Sequence, residues 1–126
     1  MLSHIAILME NQPGALSRVV GLFSQRGYNI DSLSVAPTQD PTLSRLTMTT
    51  SENPEIINQI LRQLYKLVDV VMVQNLSDAE AYSIELAIIK LISSREKIEK
   101  IISQAKELEG KILDDKDDHI MFEIWG

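Results

Sequence analysis

The segment Glu10-Asn11-Gln12-Pro13-Gly14-Ala15-Leu16 carries residue types suited to holding a small molecule that bears both a carboxylate and an ammonium group. Ile5, Ile7 and Met9 alternate before it, as on a half-buried strand. Leu16, Val19, Val20 and Phe23 follow at the spacing of one helix face. A helix that begins here leaves its first backbone N–H groups unpaired, and these attract a carboxylate. Gly14 lets the backbone approach a ligand closely, and Pro13 fixes the entry angle while removing one donor. Asn11 both donates and accepts hydrogen bonds. The same residues also describe an ordinary tight strand-to-helix turn, and the local sequence does not separate the two readings.

Other chemistry finds less support. The chain has no cysteine, which excludes disulfides and thiol catalysis and agrees with a cytoplasmic setting. It shows no glycine-rich phosphate loop and no Ser/His/Asp constellation, so no catalytic residue is expected. His4 and His119 are far apart and do not make a zinc site. Asp114, Asp115, Asp117 and Asp118 lack the glycine and distal glutamate of a calcium loop and read as a solvated hairpin turn; no metal ligand is expected. An acylphosphatase-like enzyme would want an arginine in the phosphate loop, whereas the first one here is Arg18. An RNA-recognition module would carry stacking aromatics on its third strand, and Leu43–Thr50 has none.

The elements that must position the first loop are legible from punctuation and period. Leu2–Met9 reads as a strand and Gly14–Arg26 as a helix closed by Gly27 in the left-handed conformation. Asn29–Thr38 and Thr42–Ser51 read as strands joined through Gln39-Asp40-Pro41. Asn53-Pro54-Glu55 opens a second helix with a cap, a proline at its first position and an acid facing the dipole. Val68–Leu76 completes the order βαββαβ, the ferredoxin-like split arrangement with two helices on one face of an antiparallel sheet. After a short polar linker at 77–81, the pattern restarts over 82–126. Ile84, Leu86 and Ile88 alternate on a strand, and Ser93 and Glu96 form a capping box for a helix with Ile98, Ile101, Ile102 and Ala105 on its face. Gly110 ends that helix, and two short strands, 111–113 and 120–124, flank the acidic turn. This second unit is expected to be an incomplete βαββ relative of the first, since one helix does not cover a sheet face built for two.

The 126 residues suit one ordinary domain or two small ones, and 44% apolar with 24% charged content is that of a folded chain. No apolar run approaches the roughly 20 residues that span a bilayer, so no membrane role is expected. A net charge of −6 with scattered Lys and Arg argues against nucleic acid as a partner.

Three segments together carry a family resemblance: 10–19 (ENQPGALSRV), 21–30 (GLFSQRGYNI) and 35–45 (VAPTQDPTLSR). With them the chain closely resembles the small regulatory subunits of acetolactate synthase, also called acetohydroxyacid synthase, with high specificity over 1–76 and less over 77–126. The resemblance implies an α+β chain whose residues 1–76 form an ACT domain, a module that typically binds a free amino acid at a dimer interface. It implies a homodimer through edge strands and first helices, with a valine site formed by Asn11, Gly14, Ala15 and Leu16 on one side and Asn29 and Ile30, from the second strand, on the other. By local pattern alone Asn29 is a turn residue after a helix cap, and Arg45 an exposed strand residue with a possible partner contact. The resemblance further implies a partner, the large catalytic subunit. Thiamine diphosphate, Mg and FAD are expected there and no cofactor in this chain, which would stimulate that subunit and confer feedback inhibition in branched-chain amino acid biosynthesis. Gln12-Pro13 departs from the family pattern only at positions that vary within it.

Overall fold

Ten elements follow one another in a computed structural model that describes residues 2–77 and 80–126. They are β1 (Ser3–Glu10), α1 (Ala15–Arg26), β2 (Ser32–Pro37), β3 (Leu43–Thr50), α2 (Pro54–Leu64) and β4 (Val70–Asn75), then β5 (Leu86–Ile92), α3 (Arg95–Glu107), β6 (Lys111–Asp115) and β7 (His119–Trp125). The architecture is α+β: a βαββαβ unit followed by a βαββ unit, and contacts divide the chain between Ala81 and Tyr82. Two residues of the expected linker, Asp78 and Ala79, lie outside the described residues.

In the first unit the sheet order is β2-β3-β1-β4, with every neighbouring pair antiparallel. Alternation decides which face is covered. Ile5, Ile7 and Met9 of β1 stand opposite Met48, Leu46 and Ser44 of β3, and all six are buried. Val19 and Phe23 of α1 and Ile57, Ile60 and Leu64 of α2 close over the apolar members of that face in one core. Phe23 meets Tyr28 edge-on, with ring centroids 6.5 Å apart.

The two edges of this sheet differ. On β4 the Tyr65 hydroxyl donates to the Val73 carbonyl at 2.9 Å and accepts from the Val73 N–H at 3.2 Å. A side chain therefore occupies backbone groups that would otherwise invite another strand. The β2 edge is bare: all six of its residues are exposed. Leu33 and Val35 lie in register with buried Met48 and Leu46, so they point to the helix side of the sheet, yet they remain 41% and 36% exposed. The two helices do not reach far enough to cover them.

In the second unit the order is β5-β7-β6, again antiparallel. Ile98 and Ala105 of α3 pack with Ile120 and Phe122 of β7, supported by Ile89, Leu91 and Ile112. Three local expectations need correction here. First, Ile84 precedes the strand, while Leu86 and Ile88 point away from the core, Ile88 being 61% exposed; Ile89 and Leu91 are the packed set. An apolar run reads equally well in either phase, and the core takes the phase that meets α3. Second, the Ser93–Glu96 capping box does not form. Ser94 is the N-cap and makes no side-chain cap bond, while the Ser93 N–H ties the end of β5 to the Asp118 carbonyl at 3.0 Å. Third, α3 stops at Glu107, ahead of Gly110, and Glu109 in the turn between them takes φ 57°. Gly110 serves close approach instead: a Cβ there would sit 2.8 Å from the Ala105 carbonyl oxygen and 2.9 Å from Ile124.

Strand limits shift as well: β6 and β7 extend beyond 111–113 and 120–124, while the second strand starts later than Asn29. β2 begins at Ser32, so Asn29 and Ile30 lie in the connection before it; the Tyr28 N–H caps Phe23 and pairing resumes only with the Asp31 N–H on Thr49. The acidic turn is exposed over 115–118, as expected, and several of its carboxylates are also paired. Arg95 bonds Asp115, and His119 stands between Asp118 at 2.8 Å and Asp114 at 3.1 Å. These contacts hold the carboxyls of Asp114 and Asp118 below their ordinary range, the hydrogen bond from His119 being the largest cause in each.

Candidate functional site

The loop from β1 to α1 forms because Gly14 accepts a conformation that other residues resist. It stands at φ 84° as the N-cap of α1 and makes no side-chain cap bond. No acid occupies the first turn of α1. The contrast with α2 is instructive: there the Asn53 side chain accepts from the Ile56 N–H at 2.9 Å, and Glu55 faces the dipole. One helix start is capped by a side chain, and the other has no side-chain cap among the described residues.

Asn11 is fixed by the neighbouring turn. Its N–H donates to the Thr42 carbonyl at 2.7 Å, and its side-chain Nδ2 donates to the Pro41 carbonyl at 3.0 Å. A carbonyl only accepts, so the amide orientation follows, and Oδ1 has no hydrogen-bond partner among the described residues. The turn itself is braced by Asp40, whose carboxylate accepts from both the N–H and the hydroxyl of Thr42. Those two bonds, the side-chain one foremost, lower the Asp40 pKa.

Behind the loop, Arg18 Nε donates to Asp69, whose side chain is almost wholly covered. The bond holds the Asp69 carboxyl below its ordinary range. Asp69 also accepts the Glu10 N–H at its backbone carbonyl, at 2.8 Å, so the pair ties α1 to the end of β1. Neither residue is a ligand candidate in the sequence. The signal available was weak, since an arginine four residues past an N-cap reads as a surface residue.

The expected ligand residues fall into two groups. Asn11, Gly14 and Leu16 are exposed around the open helix start, Leu16 at 39%. Ala15 belongs to the same loop, but its side chain is in the core and its N–H donates to the Gln12 carbonyl at 3.2 Å. Asn29 and Ile30 form the second group. Asn29 is exposed, with Nδ2 donating to Asp31 at 2.9 Å and its backbone carbonyl accepting from the Thr50 hydroxyl at 2.7 Å. Ile30 is half-buried against the core.

Within one chain the groups do not meet. Asn11 is tied to Thr42 and Asn29 to Thr50, at opposite ends of β3. An extended strand of that length runs roughly 26 Å, far more than an amino acid spans. Arg45 is exposed on β3, opposite Leu8. Among the described residues, no group of three or more His, Cys, Asp and Glu side chains is placed to hold a metal ion. No described helix is long and apolar enough to cross a membrane.

Comparison with known proteins gives this geometry its context. Residues 5–72 match the family model described as the acetohydroxyacid synthase small subunit-like ACT domain. The chain is 46% identical over 110 residues to the acetolactate synthase isozyme 3 small subunit of Escherichia coli (strain K12), covering 87% of this chain and 68% of that one. It is 49% identical over 113 residues to the acetolactate synthase small subunit of Haemophilus influenzae, with the same coverage of each. In three dimensions the crystal structure of the acetolactate synthase small subunit from Thermotoga maritima superposes with a TM-score of 0.85 at 33% identity, over 100% of this chain and 79% of that one. An open helix start beside a braced asparagine, on a βαββαβ sheet with one bare edge, thus sits in a chain that belongs to the acetolactate synthase small-subunit family and carries its ACT domain.

Proposed function

We propose that this chain is a regulatory subunit that binds valine between two copies of its first unit and passes the binding state to the large catalytic subunit of acetolactate synthase. The observation that carries the reading is the separation of the two half-sites at opposite ends of one sheet. β1 and β2 both run antiparallel to β3, so they run parallel to each other, and the 11–16 loop lies at the end where β2 finishes. Two copies paired antiparallel through their β2 edges bring the start of one β2 beside the finish of the other. That pairing carries the partner's Asn29 and Ile30 toward the open start of α1.

Energetics favours the same edge. Pairing there covers Leu33 and Val35, which the helices of one copy leave exposed, whereas the Tyr65 hydroxyl already occupies Val73 on the opposite edge. In the assembled site the free N–H groups of α1 receive the carboxylate, and Oδ1 of Asn11 accepts from the ammonium. Leu16, with the partner's Ile30, walls the branched side chain.

Acetolactate synthesis itself, with thiamine diphosphate, Mg and FAD, belongs in this reading to the large subunit. The small subunit raises its turnover and makes it sensitive to valine. Reconstitution tests the whole of it: a matched large subunit gains activity when this protein is added and loses the gain on titration with valine. A large subunit that responds neither to this protein nor to valine overturns the reading. Sedimentation of this protein with valine reports the dimer separately.

A further inference from the structure

We propose that the groove between α1 and the end of α2, which runs away from the proposed ligand site and shares only Gly14 with it, seats an acidic helix of a protein partner. The groove has a volume of about 510 Å³ and follows α1 from Gly14 to Arg26, with Gln63, Lys66 and Leu67 as its other wall. At 1.5 Å per residue that is roughly 18 Å, or three helical turns.

Its charge is unlike that of the chain. The protein carries −6 overall, and only five basic residues precede position 82: Arg18, Arg26, Arg45, Arg62 and Lys66. Three of these five line the groove, and no acidic residue does. Arg18 spends Nε on Asp69, leaving its Nη groups toward the groove beside Gly14. Arg26 and Lys66 form no ion pair among the described residues. Such a cluster repels itself slightly and gains only when an anion enters.

The shape selects a helix. Gly14, Ser17 and Gly21 recur at spacings of three and four along the groove side of α1, which keeps one seam low enough for another helix to ride in it. Gly21 is the telling residue. A glycine inside a helix destabilises it relative to alanine. Here a Cβ would meet nothing within 4 Å, so no neighbour in this fold requires its absence. An external helix that crosses close to α1 supplies the missing reason. The floor, Leu22 and Leu67, gives that helix an apolar strip between the cations.

The test uses the whole chain and a synthetic helical peptide with an alanine seam flanked by glutamates, beside a twin with glutamine at those positions. Amide shifts on adding the glutamate peptide should concentrate at Ser17, Gly21, Gln25 and Lys66, and the affinity should fall as salt rises. The double variant Arg26→Glu, Lys66→Glu should weaken binding at least tenfold. Gly21→Leu should do the same by filling the seam, and the fold tolerates it because the position faces open space. Equal binding of the glutamine twin, or unchanged affinity in both variants, overturns the proposal. So does the absence of groove shifts with the peptide, whether or not citrate alone produces them; citrate shifts would reassign the groove to a small anion.

Discussion

Gly14→Asp brings a backbone effect and a charge effect to one position, and pairing it with Gly14→Ala separates them. Any side chain at φ 84° resists the left-handed conformation, at a cost of about 1–2 kcal/mol. The new Cβ would also lie 2.8 Å from Arg18 Nη1. That contact is with the far end of a flexible side chain, so the backbone conformation is the main cost and the two variants should lose stability together. For a unit of this size the loss corresponds to a melting temperature lower by roughly 5–15 °C. The aspartate alone adds a carboxylate where the ligand carboxylate meets the helix start. Two like charges about 4 Å apart at a partly wetted site repel by roughly 4 kcal/mol before compensation. Arg18 stands close enough to offset about half of that, leaving roughly 2 kcal/mol, or about thirtyfold in affinity. Calorimetric titration with valine, on variants first matched by thermal unfolding, reads the difference directly. Valine binding by Gly14→Asp as tight as by Gly14→Ala would refute the placement of the carboxylate at this helix start.

Other expectations follow from the same geometry. Asn11→Ala and Asn29→His each remove a polar partner, and valine affinity should drop about ten- to a hundredfold in calorimetry while each variant still stimulates the large subunit. Asp69 has its pKa lowered by Arg18, so its contribution to stability is present above the ordinary carboxylate range near 4 and is lost as pH falls through the depressed value. Asp69→Asn should therefore flatten the acid limb of a pH–stability curve followed by circular dichroism, while lowering stability at neutral pH. Tyr65→Phe keeps the ring but frees the Val73 backbone groups on β4. Sedimentation should then show association beyond the dimer that rises with concentration, and an unchanged distribution would deny the hydroxyl a role as an edge block.

Sequence signals served well where one residue type answers one backbone demand. Gly27 takes φ 69° and closes α1, and Asn53-Pro54 starts α2 with the expected side-chain cap. Period put Ile5, Ile7 and Met9 on one buried face of β1, although Ala6 and Leu8 between them are apolar as well. It failed on β5, where Leu86-Ala87-Ile88-Ile89 offers two apolar phases and only packing against α3 chooses between them. The capping box failed for a related reason. Ser93 and Ser94 compete for one cap position, and the pairing of Ser93 with the end of the β6–β7 turn settles it from outside the helix.

The candidate site was legible as residues and not as a place. Asn11, Gly14 and Asn29 stand out by type, but their supports do not. Asp40 braces the turn that holds Asn11, and Asp69 anchors the arginine behind Gly14; each lies far along the chain from the residue it serves. More consequential is the distance between the two halves. A list of site residues carries no sign that they sit at opposite ends of β3, and register is what turns that list into a demand for a second copy. The demand then meets a sheet with one bare edge and one occupied by a tyrosine hydroxyl. Because β2 runs parallel to β1, the bare edge is also the one whose antiparallel pairing moves the start of one β2 to the finish of the other. Had Tyr65 stood over β2 and left β4 open, the same six residues would have had no route to one another.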